Sequence, residues 1–171
     1  MRLPLLRSAA ALTLLGLSGA ALADTRLEIN GGSSYSDGYW TSTAWVEAIF
    51  GEHSIGNSRF TWSPDASLGY LDGRNVKRYG DAVSDDIWLL AGGARFHYGS
   101  NGDWYHHLYW TAQVAAQAGR TLALSSSGEF VNSIGWQAEH WSFQIRHVSN
   151  GGIKGSNRGE TMALVGVAFN P

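Results

Sequence analysis

The sequence predicts an all-β protein, and three observations support that prediction. Apolar and polar residues alternate with a period of two in several short segments, as they do in strands with one buried face. The 171 residues include 22 Gly, 8 Trp, 7 Tyr and 6 Phe but no cysteine. After residue 23, no segment approaches the roughly 18 uncharged apolar residues of a membrane-spanning helix. Together these features predict an eight-stranded antiparallel transmembrane β-barrel of the outer-membrane type.

The amino-terminal segment 1–23 is predicted to be a secretory signal peptide. Arg2 and Arg7 supply its positive charge, an apolar stretch follows, and Ala21-Leu22-Ala23 is a small-x-small cleavage site. Cleavage near Ala23 leaves a single domain, residues 24–171. A transmembrane helix is the alternative, but the apolar stretch is short for the roughly 20 residues needed. An exported chain without cysteine has no disulfide to stabilise a small core, so we expect a large core, a closed barrel, a membrane or a partner to stabilise it.

The charge of the chain excludes one class of partner. There are 12 Lys and Arg against 14 Asp and Glu, which gives a net charge of −2 at pH 7. The chain has neither a basic stripe nor a nucleic-acid-binding motif, so we expect no nucleic-acid partner. No metal-binding spacing stands out among the His and acidic residues, and we expect no metal or organic cofactor.

Eight alternating segments can be counted after the signal peptide, with uncertain ends. They lie at about 27–31, 40–50, 58–70, 87–97, 108–117, 130–136, 141–150 and 160–169. Pro64-Asp65 is predicted to interrupt the third strand, because proline cannot donate to the ladder. Glu47, Gln113 and Arg146 fall on interior faces and predict a polar network, since side chains fill so narrow a barrel.

Loop lengths predict which end of the barrel faces outward. The links 70–86, 119–128 and 150–159 share one end and are mostly longer than the others, and long loops lie on the cell exterior in bacterial barrels. If Trp141 lies in the periplasmic aromatic girdle, Ser149 is about 20 Å higher along a tilted strand. That height is near the ester groups of outer-leaflet lipids.

The seventh strand carries the candidate site. Its apolar face, which begins with Trp141, Phe143 and Ile145, ends in His147 and Ser149. A hairpin closing symmetrically would place Glu160 opposite His147, and Met162 opposite Ile145, with Cβ atoms roughly 4.5–5.5 Å apart.

Serine, histidine and a carboxylate are the groups of a nucleophile, its base and an orienting acid. Asn150, Gly151 and Gly152 follow the serine directly. An Asn amide or the backbone N–H groups of a glycine turn can hold an oxyanion. The sequence therefore predicts a serine esterase site made of Ser149, His147 and Glu160. The alternative is that these three residues have no catalytic role and simply lie at the end of the barrel.

A family resemblance sharpens this prediction. The stretch RHVSNGGIK at 146–154, with Asn157 and Gly159-Glu160 before an apolar last strand, resembles the signature of the PagL-type lipid A 3-O-deacylases. The segment FVNSIG at 130–135 is similar to the sixth strand of that family, with its retained phenylalanine Phe130. The interval between histidine and glutamate is one residue shorter than in the family pattern.

The resemblance implies an outer-membrane enzyme that hydrolyses the 3-O-linked 3-hydroxyacyl chain of lipid A in lipopolysaccharide, without a cofactor. It implies Ser149 as nucleophile, His147 as base and Glu160 as acid. The residues implied to hold the oxyanion or the substrate are Asn150, Gly151, Gly152 and Phe130.

Two other interpretations stay open. One is a non-enzymatic barrel with a structural or adhesive role. The other is a soluble periplasmic barrel that binds an apolar ligand, which requires the faces of Trp110 and Phe143 to point inward. The sequence also leaves open a homodimer. Candidates for contacts with lipid A phosphates are the basic loop residues Lys77, Arg78, Lys154 and Arg158.

Overall fold

The computed structural model of the chain describes residues 24–77, 79–153, 155 and 157–170. The predicted signal peptide lies outside these residues, as do Arg78 and Lys154. No helix in this part of the chain is long and apolar enough to cross a membrane.

The described chain consists almost entirely of antiparallel strands. They are β1 (Arg26–Ser36), β2 (Tyr39–Ile49), β3 (His53–Ser54), β4 (Phe60–Leu71), β5 (Ile87–Tyr98), β6 (Leu108–Ala118), β7 (Gly128–Gln137), β8 (Trp141–Ser149) and β9 (Glu160–Phe169). Two short 3-10 turns, Gly80–Val83 and Trp104–His107, precede β5 and β6.

The eight long strands form a closed barrel. Each pairs with its neighbours in chain order, β1 pairs with both β2 and β9, and β2 pairs with β4. The two-residue β3 pairs with β4 beyond the end of β2. This closure confirms the predicted eight-stranded antiparallel barrel, and it leaves no long sheet edge exposed.

The predicted interruption at Pro64-Asp65 is found on one side of β4 only. β4 runs through both residues and pairs continuously with β5, with Pro64 opposite Ala94. On its other side, Pro64 lies where the neighbouring strand changes from β2 to β3, and its carbonyl accepts a bond of 2.9 Å from the Phe50 N–H. A proline is tolerated at such a break in the ladder.

The interior of the barrel is polar and packed. The Arg146 guanidinium donates to Glu47 at 2.7 Å and lies over the Trp45 ring at 4.3 Å. The Gln113 amide donates to Asp65 at 3.0 Å. These contacts confirm the predicted network of Glu47, Gln113 and Arg146. Such pairs keep the barrel intact because a buried charge that loses its partner costs about 3–5 kcal/mol.

The outer wall is apolar between two bands of aromatic rings. At the end where β8 terminates, ring pairs Tyr35–Trp40 and Tyr70–Trp88 each lie 4.9 Å apart. At the other end, the pairs are Phe60–Tyr98, Phe96–Trp110 and His107–Trp136. This arrangement, with a polar interior, is typical of barrels that face lipid.

The interpretation as a soluble ligand-binding barrel is wrong. It required the faces of Trp110 and Phe143 to point inward, but these side chains are 47% and 42% exposed on the outer wall. The interior they would have lined is occupied by the ion pairs described above.

Candidate active site on the outer wall

β8 presents the candidate site at the end of its outward face. Phe143, Ile145 and His147 are exposed and Ser149 is half-exposed, whereas the alternate residues from Ser142 to Val148 are buried. The prediction that His147 and Ser149 lie on the outer wall is therefore confirmed. Both lie at the same end of the barrel as the Tyr35–Trp40 and Tyr70–Trp88 ring pairs.

Phe130 borders the serine on the side of β7. It pairs directly with Ser149 across the ladder and is 40% exposed. Its ring approaches Gly151, where an added Cβ would lie 3.5 Å from two ring carbons. An apolar groove of about 240 Å³ runs beside it, lined among others by Val114 and Ile153. The serine thus lies at the rim of a surface that suits a hydrocarbon chain.

The predicted register between β8 and β9 is wrong by one residue. His147 pairs with Thr161, not with Glu160, and Ile145 pairs with Ala163, not with Met162. Glu160 pairs with Val148 instead. Because side chains alternate along a strand, this slip turns Glu160 from the outer wall to the interior.

Glu160 is engaged elsewhere and does not touch His147. Its side chain is 1% exposed. Both carboxylate oxygens accept bonds from the Arg74 guanidinium, at 2.5 and 2.7 Å, and one of them also accepts the Ser34 hydroxyl at 2.6 Å. The predicted role of Glu160 as the partner of the imidazole is therefore contradicted by this geometry. Through these bonds, Glu160 attaches the loop that contains Arg74 to the interior of the barrel.

Thr161 takes the position beside the imidazole. Its Oγ1 lies 2.9 Å from His147 Nδ1. At the other edge of the ring, a Cβ built on Gly159 would lie 2.8 Å from Cε1 and 2.9 Å from Nε2. Among the described residues, no hydrogen bond joins the His147 ring to Ser149. The ring is held from the β9 side, with Nδ1 at Thr161 and Nε2 beside Gly159.

Two further residues complete the row of outward positions across this part of the wall. Asn132 pairs with His147 from β7, and Tyr35 pairs with Thr161 from β1. Neither Thr161 nor Asn132 was among the predicted site residues. Alternation places Asn132 on the wall, whereas finding Thr161 required the register.

The three loop residues predicted to hold an oxyanion differ in whether their hydrogen-bond donors are already used. Asn150 is 2% exposed, and its side chain accepts from the Gly152 N–H at 2.8 Å and donates to the Gly155 carbonyl at 3.2 Å. Asn150 and Gly152 therefore stabilise the loop. Gly151 has a φ of 62° and is exposed, and in the described chain its N–H enters no hydrogen bond. Of the three, Gly151 has the free donor.

Of the basic loop residues suggested for phosphate contacts, Lys77 and Arg158 lie in the described part of the chain. Arg158 bonds Asp37 at 2.7 Å, and Lys77 is exposed. Within the described residues, no group of three or more His, Cys, Asp or Glu side chains could hold a metal ion.

The closed eight-stranded barrel, with its polar interior and banded apolar wall, has the fold of bacterial outer-membrane barrel proteins. Among solved structures, it is similar to the outer membrane enzyme PagL, with a TM-score of 0.52, 17% identity, and 85% of this chain and 99% of that chain covered.

The Yersinia pestis attachment invasion locus protein Ail also matches. In complex with the heparin analogue sucrose octasulfate it gives a TM-score of 0.45 and 12% identity, with 85% and 97% of the two chains covered. In a phospholipid bilayer nanodisc it gives 0.46 and 13%, with 86% and 99% covered. No protein-family profile and no curated protein matches the chain. At these identities, the likeness to PagL shows a shared fold.

Proposed function

We infer that the protein is an outer-membrane esterase that hydrolyses the 3-O-linked 3-hydroxyacyl chain of lipid A. Ser149 is the nucleophile and His147 the general base. The observation that carries this proposal is the placement of both side chains on the lipid-facing wall, at the aromatic band, with the imidazole held by a hydrogen bond.

The position of the pair fits a lipid ester better than a water-soluble substrate. Both side chains face lipid at one end of the apolar wall, where they can meet a group that lies within the membrane interface. The aromatic pair Tyr35–Trp40 marks the interfacial height, where the ester groups of a lipid lie. The apolar groove beside Phe130 provides space for the acyl chain of such a lipid.

The proposed reaction follows acyl transfer to serine. The His147 Nε2 removes the hydroxyl proton as Ser149 Oγ attacks the acyl carbonyl carbon, and the carbonyl oxygen becomes an oxyanion. The Gly151 N–H is the donor available to that oxyanion. The intermediate then expels the sugar oxygen, which takes the proton from the imidazolium. Water, deprotonated by His147, releases the 3-hydroxy fatty acid from Ser149 and completes the cycle.

A second candidate function is a non-enzymatic barrel with a structural or adhesive role. It is favoured by the inward position of Glu160, which leaves the imidazole without a carboxylate. Under this alternative, His147 and Thr161 form a hydrogen-bonded pair of rim residues, and expression of the protein leaves lipid A unchanged.

Mass spectrometry of lipid A from cells expressing Ser149→Ala separates the two candidates. We expect the native chain to remove one 3-hydroxyacyl chain, and Ser149→Ala to lose this activity by on the order of 10⁶-fold, as other serine hydrolases do without their nucleophile. Ser42→Ala is the matched control, because Ser42 is also an exposed serine on the outer wall.

Both variants should show the native heat-dependent shift in gel mobility of a folded barrel. Unchanged lipid A masses with the folded native chain would favour the non-enzymatic alternative. Full activity in Ser149→Ala would exclude Ser149 as the nucleophile.

A further inference from the structure

We propose that Thr161 is the residue that positions the imidazole of His147 for catalysis, in the role that the sequence suggested for Glu160. The proposal rests on the function inferred above. It starts from one contact, the hydrogen bond of 2.9 Å between Thr161 Oγ1 and His147 Nδ1.

The ladder makes this contact a fixed feature of the barrel. His147 and Thr161 are directly paired residues of β8 and β9, and both are exposed on the outer wall. Directly paired residues have Cβ atoms roughly 4.5–5.5 Å apart, which suits a bond between an imidazole and a short hydroxyl side chain. Tyr35 pairs with Thr161 from the opposite side, so Thr161 lies between two ordered strands.

Glu160 is not free to replace it. Its carboxylate is buried on the inner face and is clamped by Arg74 through two bonds and by Ser34 through a third. Turning it outward would leave the buried Arg74 guanidinium without its counter-charge, which is strongly unfavourable. The energetic balance therefore keeps Glu160 inside and leaves the threonine hydroxyl as the partner of His147.

Gly159 fixes the other edge of the ring. The absence of a side chain there leaves room for Cε1 and Nε2, which lie within 3 Å of where a Cβ would stand. The β8–β9 ladder ends at the Val148–Glu160 pair, so Gly159 lies just beyond it, at the end of the barrel where Ser149 ends β8. The imidazole thus lies between two residues of the last hairpin, with Nδ1 at the Thr161 hydroxyl and Nε2 beside Gly159.

This arrangement gives Thr161 a definite chemical task. A base that accepts a proton through Nε2 must carry its own hydrogen on Nδ1, and the Thr161 hydroxyl oxygen is placed to accept that Nδ1–H bond. Unlike a carboxylate, the hydroxyl adds no negative charge beside the imidazolium. Thr161 therefore orients the ring and provides the acceptor that a base with hydrogen on Nδ1 needs, while the catalytic groups remain Ser149 and His147.

The test compares Thr161→Val with Thr161→Ser in the full-length mature barrel, refolded in detergent micelles with lipid A as substrate. Valine keeps the shape and removes the hydroxyl, so we expect kcat to fall about tenfold, the equivalent of one lost hydrogen bond, with KM unchanged. Serine keeps the hydroxyl and should restore kcat to within about twofold of the native value. Ala163→Val, an outward position on the same strand, is the control for altered packing.

A second readout does not depend on hydrolysis. Nitrogen-15 NMR of labelled histidine, with His147 assigned from a His147→Gln variant, reports which ring nitrogen carries the hydrogen. We expect hydrogen on Nδ1 in the native chain and in Ser149→Ala, and a shift toward Nε2 in Thr161→Val.

The outcomes separate this proposal from the proposed function. If the native chain shows no Ser149-dependent hydrolysis but the tautomer responds to Thr161 as expected, the esterase fails and the positioning contact survives. A native kcat in Thr161→Val, a failure of Thr161→Ser to rescue, or a native ring with hydrogen on Nε2 would each overturn the role of Thr161.

Discussion

The two faces of the β8–β9 hairpin differ in what holds them together. On the outer face, His147 meets the Thr161 hydroxyl through one neutral contact on a lipid-facing wall. On the inner face, one residue away along each strand, Val148 pairs with Glu160, whose carboxylate is clamped by Arg74. The inner face carries buried charge and contributes to stability, whereas the outer face carries the residues proposed to react and no buried charge. Changes on the two faces should therefore have separable effects.

The largest effect expected from this comparison concerns stability. Glu160→Gln leaves the Arg74 guanidinium buried without a counter-charge, so the free energy of unfolding should fall by about 3 kcal/mol. Urea titration of the refolded protein in micelles measures this value. Hydrolysis per folded molecule should fall less than in Thr161→Val. If Glu160→Gln abolishes hydrolysis without a loss of stability, the carboxylate acts on the His147 imidazole. The two faces of the hairpin would then not have separable roles.

A smaller effect is expected on the outer face from Gly159→Ala. The new Cβ would lie 2.8 Å from the His147 ring, and the φ of 69° at this position disfavours any side chain. Displacing a catalytic ring by about 1 Å costs on the order of 10²-fold in rate, so kcat should fall by this amount. The kinetic assay with lipid A in micelles measures it. Gly155→Ala is the control, since Gly155 also has a positive φ but nothing within 4 Å of an added Cβ.

The smallest effect on stability and hydrolysis is expected from removing a second ion pair, which lies close to the start of β9. Arg158 bonds Asp37 at 2.7 Å, and this hydrogen bond holds the pKa of Arg158 above its ordinary value. The pair is exposed to solvent, where such contacts contribute little. Arg158→Gln should leave the urea midpoint and the hydrolysis rate unchanged. A loss of stability equal to that of Glu160→Gln would show that burial does not distinguish the two pairs.

Alternation predicted most of the fold because it is a local property of each strand. The predicted span 160–169 coincides with β9, and 108–117 differs from β6 by one residue. It also placed His147 and Ser149 on the outer wall, since the polar face of β8, with Gln144 and Arg146, identifies the interior. These parts needed no knowledge of how strands pair.

The register of β9 could not be predicted in the same way. Its two faces are both apolar, with Met162 and Leu164 on one and Val165 and Val167 on the other, so alternation does not say which face meets lipid. The glycine-rich link 150–159 does not fix the pairing either. The shorter interval between His147 and Glu160 was the available signal that another residue pairs with the histidine. Arg74, from a long loop, carried no signal of its buried position.

The closure of the barrel bears on when the proposed enzyme becomes competent. Thr161 lies in β9 and Gly159 directly precedes it. β9 pairs with β1 and so closes the barrel. Before insertion, β9 is not yet paired with β8 and β1. In that state neither the Thr161 hydroxyl nor Gly159 is in place to orient the His147 ring. The precursor would therefore be inactive, and it would not hydrolyse lipid esters in other membranes before the barrel has closed in the outer membrane.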